Sequence, residues 1–181
     1  EILKEECGYA MLSEMSAVDY LAKDGKIIYG KDFGKEIVLK PSVLLDNIDS
    51  CFQMIDEAID LIKKKKMFPI ICYFLYSCLR TFYHIDRIID ESRTSLDFER
   101  MGKKIFNSLW KKVKRTAYEV DKRAWRNWPN ISIKVSKKDF KTIPDSVREQ
   151  LLKSSQSIIE YGNKVQIKTL KWIKSYSISQ L

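Results

Sequence analysis

An all-α fold, an antiparallel bundle of four to five helices, is what the sequence predicts, and three observations carry that prediction. Only 6 Gly and 4 Pro occur in 181 residues, which leaves few places for the chain to turn. Long stretches rich in Lys, Glu, Leu and Ile repeat their apolar residues every three to four positions, the period of one helix face. The 45% apolar and 31% charged fractions are those of an ordinary globular chain, and its length suffices for one core. The reading therefore divides the chain into residues 1–40, an N-terminal helix and Gly-bracketed connector forming the tail of a preceding domain, and residues 41–181, the helical bundle. The chain opens on Glu1 within a helical pattern, so it is expected to begin inside a longer polypeptide.

Pro41-Ser42 begins the first helix of the bundle, with Ser42 as N-cap and Val43, Leu44, Ile48, Cys51, Phe52, Ile55, Ile59 and Ile62 facing inward. The run Lys63-Lys64-Lys65-Lys66 closes it, where positive charge complements the helix C-terminus. A second helix runs from near Pro69 to about Glu91. The third starts after Thr94-Ser95-Leu96-Asp97, a cap hydroxyl followed by an acidic first turn, and is expected to run unbroken to about Trp125. Residues 127–143 read as irregular, and Ile131-Ser132-Ile133-Lys134-Val135 alternates as a short strand would. At most it pairs with residues 26–29 in a two-strand element, since a lone strand needs a partner. Pro144 and a Ser146–Glu149 capping box announce the last helix, with Val147, Leu151, Ile158, Val165 and Trp172 on one stripe.

Charge is distributed unevenly. Glu1 to Ile62 holds 6 basic and 13 acidic residues, net −7; the remainder holds 27 basic and 11 acidic, net +16. Such polarity suits a polyanion-facing surface or an acidic segment docked on a basic one, and solvated Lys-rich helix surfaces explain it equally well. The longest apolar run, Phe68 to Leu79, contains Pro69 and falls short of the roughly 20 residues that cross a bilayer, so no membrane partner is expected. Cys7, Cys51, Cys72 and Cys78 lack zinc-ligand spacing, and the chain has 1 His; reduced thiols in the cytoplasm fit this usage.

Asp24-Gly25-Lys26-Ile27-Ile28-Tyr29-Gly30-Lys31-Asp32-Phe33 resembles the closing element that leads from the catalytic sheet of small prokaryotic nucleotidyltransferases into a C-terminal helical domain. The aromatic-rich Phe68-Pro69-Ile70-Ile71-Cys72-Tyr73-Phe74-Leu75-Tyr76-Ser77-Cys78-Leu79-Arg80-Thr81-Phe82-Tyr83-His84 looks like the helical bundles called HEPN domains and the related substrate-binding domains of those enzymes. The resemblance covers roughly residues 24–91. It implies a helical module that positions the substrate of a neighbouring catalytic domain, with magnesium and nucleotide belonging to that domain and no cofactor held by this chain. No Gly-Ser followed by an Asp-x-Asp pair occurs, so the metal-binding signature of the catalytic domain is missing from the sequence. HEPN ribonucleases separate an Arg and a His by four to six residues, whereas Arg80 and His84 have three between them, and nuclease activity is not carried over.

Two sets of residues are candidates for binding. Ser77, Arg80, His84, Arg87 and Glu91 recur at helical spacing and form one polar stripe on the second helix. Arg80, His84 and Arg87 are the substrate-binding candidates, an anion pocket with His84 able to donate or accept a proton; the same stripe is also what a wet helix face looks like. On an unbroken third helix Lys104, Lys111, Arg115 and Lys122 would share one ridge, and these are the nucleic-acid candidates; Trp110, Trp125 and Trp128 could supply stacking surfaces, although core packing is the commoner role for a tryptophan. Lys153, Lys164, Lys168 and Lys171 repeat the basic pattern on the last helix. No catalytic or metal-binding residue is assigned. The expected function is substrate positioning for a nucleotidyltransferase-type protein whose full-length form performs the catalysis. The alternatives are a non-catalytic nucleic-acid-binding module or a helical dimerisation protein with a second copy of the chain as partner.

Overall fold

The computed structural model describes residues 41–90, 95–125 and 142–179. The connector at 24–33, the short strands expected at 26–29 and 131–135, and the domain tail at 1–40 lie outside those residues. The described residues form an all-α bundle without strands: α1 (Pro41–Lys63), α2 (Phe68–Ile89), α3 (Ser95–Phe106), a 3-10 turn (Asn107–Leu109), α4 (Trp110–Trp125) and α5 (Asp145–Ser179).

The apolar periods become the core. Leu44, Ile48, Cys51, Ile55 and Ile62 are fully buried on α1, while Phe52 and Ile59 pack against the same cluster. Ser42 sits inside the first turn of α1 rather than capping it, because the helix already includes Pro41. At the other end the lysine run makes a Schellman closure. Lys65 takes a left-handed conformation with φ 55°, Lys65 N donates to Ile62 O, and Lys66 N donates to Leu61 O. A second left-handed residue, Met67, precedes Pro69 in the first turn of α2, and Ile70 N and Ile71 N both donate to Met67 O. Two left-handed residues in so short a connection reverse the chain and set α2 against α1 as a helical hairpin.

α2 is the central helix, packed on α1, α4 and α5. Its Ile71, Cys72, Leu75, Cys78, Leu79, Phe82 and Ile85 are wholly buried. Cys78 Sγ donates to Cys51 O across the α1–α2 seam, and burial pushes the Cys72 and Cys78 thiols well above their ordinary range, as small hydrophobes rather than nucleophiles. Gly162 lets α5 approach this pair of helices: a Cβ there would stand 2.6 Å from the Phe82 ring and 3.1 Å from Phe52. Leu151, Ile158 and Val165 of the expected α5 stripe are fully buried, with Val147 and Trp172 packed at its ends. The helix begins at Asp145, so Ser146 lies within the first turn instead of at the cap. Lys65 locks that turn to the α1–α2 connection, its Nζ 2.7 Å from Asp145 Oδ1 and its carbonyl accepting from Ile143 N.

The expected unbroken third helix is in fact two. Asn107 has φ 50°, a conformation that ends α3 and opens the 3-10 turn before α4 restarts at Trp110. The break lets the Trp110 ring fold back onto α3, where a Cβ on Gly102 would lie 2.4 Å away. There the indole is 3% exposed, stacked on Phe106 and Tyr76, and donates from Nε1 to Glu99 Oε1 at 2.7 Å. Trp110 is therefore a core residue, not a stacking surface for bases; the side chain of Trp125 and the whole of Trp128 lie outside the described residues.

Candidate anion-binding cleft

α2, α3 and α5 leave between them an open cleft of about 360 Å³. Each helix contributes the residues that its register points there. α2 supplies Asp86, α3 supplies Arg100, Met101 and Lys104, and α5 supplies Tyr161, Lys164, Val165 and Lys168, which recur at three- and four-residue steps on one face. The wall between α3 and α5 is fixed near its end by Ser154, whose hydroxyl donates to Ile105 O at 2.9 Å.

Asp86 is 1% exposed, and a carboxylate that deep is tolerated only with partners on both oxygens. Tyr161 Oη donates to Asp86 Oδ2 and Lys168 Nζ to Asp86 Oδ1, each at 2.8 Å, and Lys168 also lies 3.9 Å from Asp90 Oδ2. The acid thereby holds a tyrosine and a lysine at defined positions in the cleft. It does not neutralise the rest of the lining. Arg100 reaches Asp97 only at 3.8 Å from an exposed position, and among the described residues neither Lys104 nor Lys164 has a carboxylate partner. Four cationic side chains thus surround one carboxylate already satisfied, and the surplus is positive. Such a concavity attracts a compact anion and offers it ammonium and guanidinium donors.

The sequence candidates separate. Lys104 lines the cleft, whereas Lys111, Arg115 and Lys122 lie on the exposed face of α4 beyond the Asn107 break, so the four form no continuous ridge. Arg80, His84 and Arg87 do not line the cleft. Arg80 sits beside Tyr76, which packs under α4; the His84 ring meets Tyr83 edge-on; and Arg87 is 9% exposed, buried rather than wet. Glu91, at the end of the same stripe, is outside the described residues. Asp86 and Tyr161 were not singled out by sequence. Asp86 had one signal, an acid interrupting the most apolar helix of the chain, and Lys164 and Lys168 were visible only as part of a basic repeat. Among the described residues no group of three or more His, Cys, Asp or Glu could hold a metal ion, and no helix is long and apolar enough to cross a membrane.

What fold and site define is a class, an all-α bundle with a basic cleft beside its central helix. Compared with known proteins, the chain matches no family model, no curated protein and no solved structure.

Proposed function

We propose that this chain is a helical substrate-positioning module of a nucleotidyltransferase-type protein, and that its cleft holds the phosphate end of the substrate. The supporting observation is that Lys104 and Lys164, two cations without a carboxylate partner among the described residues, both line a cleft to which α3 and α5 contribute. The resemblance of residues 24–33 and 68–84 to nucleotidyltransferase and HEPN sequences supplies the neighbouring catalytic domain as partner. In this reading the substrate-binding role passes from the Arg80 stripe to Arg100, Lys104, Lys164 and Lys168. Lys168, held by Asp86, presents its ammonium in a fixed position. Lys104 and Lys164 are not committed elsewhere and close on the phosphate oxygens. Lys168 offsets the charge of Asp86 and Tyr161 hydrogen-bonds its other oxygen, which reduces the carboxylate's repulsion of the incoming anion. Metal-dependent transfer belongs to the catalytic domain, which supplies magnesium and nucleotide activation.

Calorimetric titration of inorganic pyrophosphate and of ATP into the purified chain tests this reading. Saturable binding is expected, weakened at least tenfold in Lys104→Ala/Lys164→Ala with an unchanged thermal melt. Absence of binding in the parent, or equal affinity in the double variant, refutes it. With nucleotide and magnesium but no second protein, the chain is expected to show no nucleotidyl transfer.

A further inference from the structure

A second binding surface lies on α4, and it stands on observations independent of the cleft. At 100° per residue, Lys111, Arg115, Tyr118 and Lys122 fall within about 60° of one another, a stripe about 16 Å long at 1.5 Å rise per residue. All four are exposed. Tyr118 is 50% exposed and stands partway along the charged stripe, between Arg115 and Lys122. Its position is held: the ring centroid is 5.8 Å from that of Tyr76, with the two planes tilted by 50°. Tyr76 is in turn clamped by Trp110 and Phe98, so the exposed ring rests on the aromatic core and loses little freedom on being covered.

The charges around the ring are those of a polyanion site. Lys111 and Lys122, at the two ends of the stripe, have no ion pair among the described residues. Arg115 carries one exposed pair with Glu119 at 3.1 Å, the kind that an incoming phosphate displaces readily. On one flank Lys114 is tied to Glu99 at 2.9 Å, and on the other Lys112 lies over the Phe68 ring at 4.7 Å. These side chains add positive potential without competing for the stripe. Separated lysines along a line with a rigid aromatic between them match a strand whose phosphates follow the line and whose bases turn inward. Only unpaired bases offer a face to the ring, since in a duplex those faces are covered by neighbouring pairs.

We infer that the exposed face of α4 binds single-stranded nucleic acid, with one base stacked on Tyr118 and the backbone tracked by Lys111, Arg115 and Lys122. The stripe spans only a few nucleotides, so the affinity is modest and steeply dependent on salt.

Fluorescence anisotropy with a labelled 12-nucleotide oligo(dU), its RNA equivalent and a duplex of equal length, each across a salt series from about 50 mM, decides the matter. Single strands are expected to bind more tightly than the duplex. Tyr118→Ala should weaken single-strand binding about tenfold and Tyr118→Phe should leave it within twofold, because stacking needs the ring and not the hydroxyl. Lys111→Glu/Lys122→Glu should abolish binding at moderate salt. Three results overturn the inference: no single-strand binding by the parent at about 50 mM salt, duplex bound as tightly as single strand, or Tyr118→Ala and Tyr118→Phe giving the same affinity. Binding of polyglutamate as tightly as the oligonucleotide would also overturn it, and would mark the face as a dock for acidic protein.

Discussion

In the cleft, a buried carboxylate fixes one lysine at 2.8 Å while two further lysines of the lining have no carboxylate partner among the described residues; on α4, three cations lie along an exposed face around a tyrosine. Both regions are built from the same residue types, and they differ in curvature and in what anchors them. A concave site surrounds an anion on several sides and partly excludes water, so each charge is worth more there than on an open face. An exposed stripe contacts its ligand from one side and gains through length and stacking. Net charge alone does not distinguish the two. Which helices meet, and where a buried acid stands, does.

The strongest way to break the comparison is to push α5 off α2. Gly162→Val places branched bulk where a single Cβ would already stand 2.6 Å from Phe82, and should cost about 3 kcal/mol of stability in urea unfolding. Because α5 forms half of the cleft and α4 forms none of it, pyrophosphate binding should disappear under conditions where the variant remains folded, while oligonucleotide binding persists.

A smaller and more local change is Asp86→Ala. It removes the acceptor of two hydrogen bonds, one from a charged donor, at a buried position, and should cost about 2 kcal/mol. Lys168 is 42% exposed and recovers solvation once released, which keeps the loss below that of a fully buried pair. A cost under about 0.5 kcal/mol, the scale of ordinary surface substitutions, would show that Asp86 does not organise the cleft.

How much of this was legible in the sequence follows from the range over which each feature is encoded. The inward face of α1 and the stripe on α5 are local periods, and Ile48, Ile55, Leu151 and Ile158 are buried where the spacing places them. The break at Asn107 left no such mark: a helical apolar pattern continues across it, and what ends α3 is one left-handed asparagine together with the fit of Trp110 over Gly102. The cleft was least legible, since Asp86 is 75 residues from Tyr161 and 82 from Lys168. No window of sequence holds that triad, and only the α2–α5 contact assembles it. Arg80, His84 and Arg87 recur at helical spacing, but the packing of neighbouring helices decides which seam borders an open cleft, and these three are not in its lining.

On the α4 side the smallest effect expected is one of pH. Hydrogen bonds from Lys114 and Trp110 hold the Glu99 carboxyl below its usual value. A carboxyl depressed in the folded state contributes stability that is full above its unfolded value, about 4.3, and is lost as pH falls through the lower folded value. Thermal melts between about pH 6 and 3 should therefore show the parent losing that contribution in the acid range, with Glu99→Gln showing a shallower slope. The side chain is 37% exposed, so screening keeps the difference under about 1 kcal/mol. Neither Lys114 nor Trp110 lines the cleft, and its pyrophosphate affinity should stay within about twofold of the parent in Glu99→Gln.

The most direct test of the central claim, that the two basic regions are separate sites for different anions, is calorimetric titration of pyrophosphate into two charge-reversed proteins side by side. The account predicts that Lys104→Glu/Lys164→Glu loses at least tenfold in affinity while Lys111→Glu/Lys122→Glu stays within about twofold of the parent, although both variants change the net charge equally. Equal losses in the two variants would contradict it, because pyrophosphate would then be responding to total charge and not to the cleft.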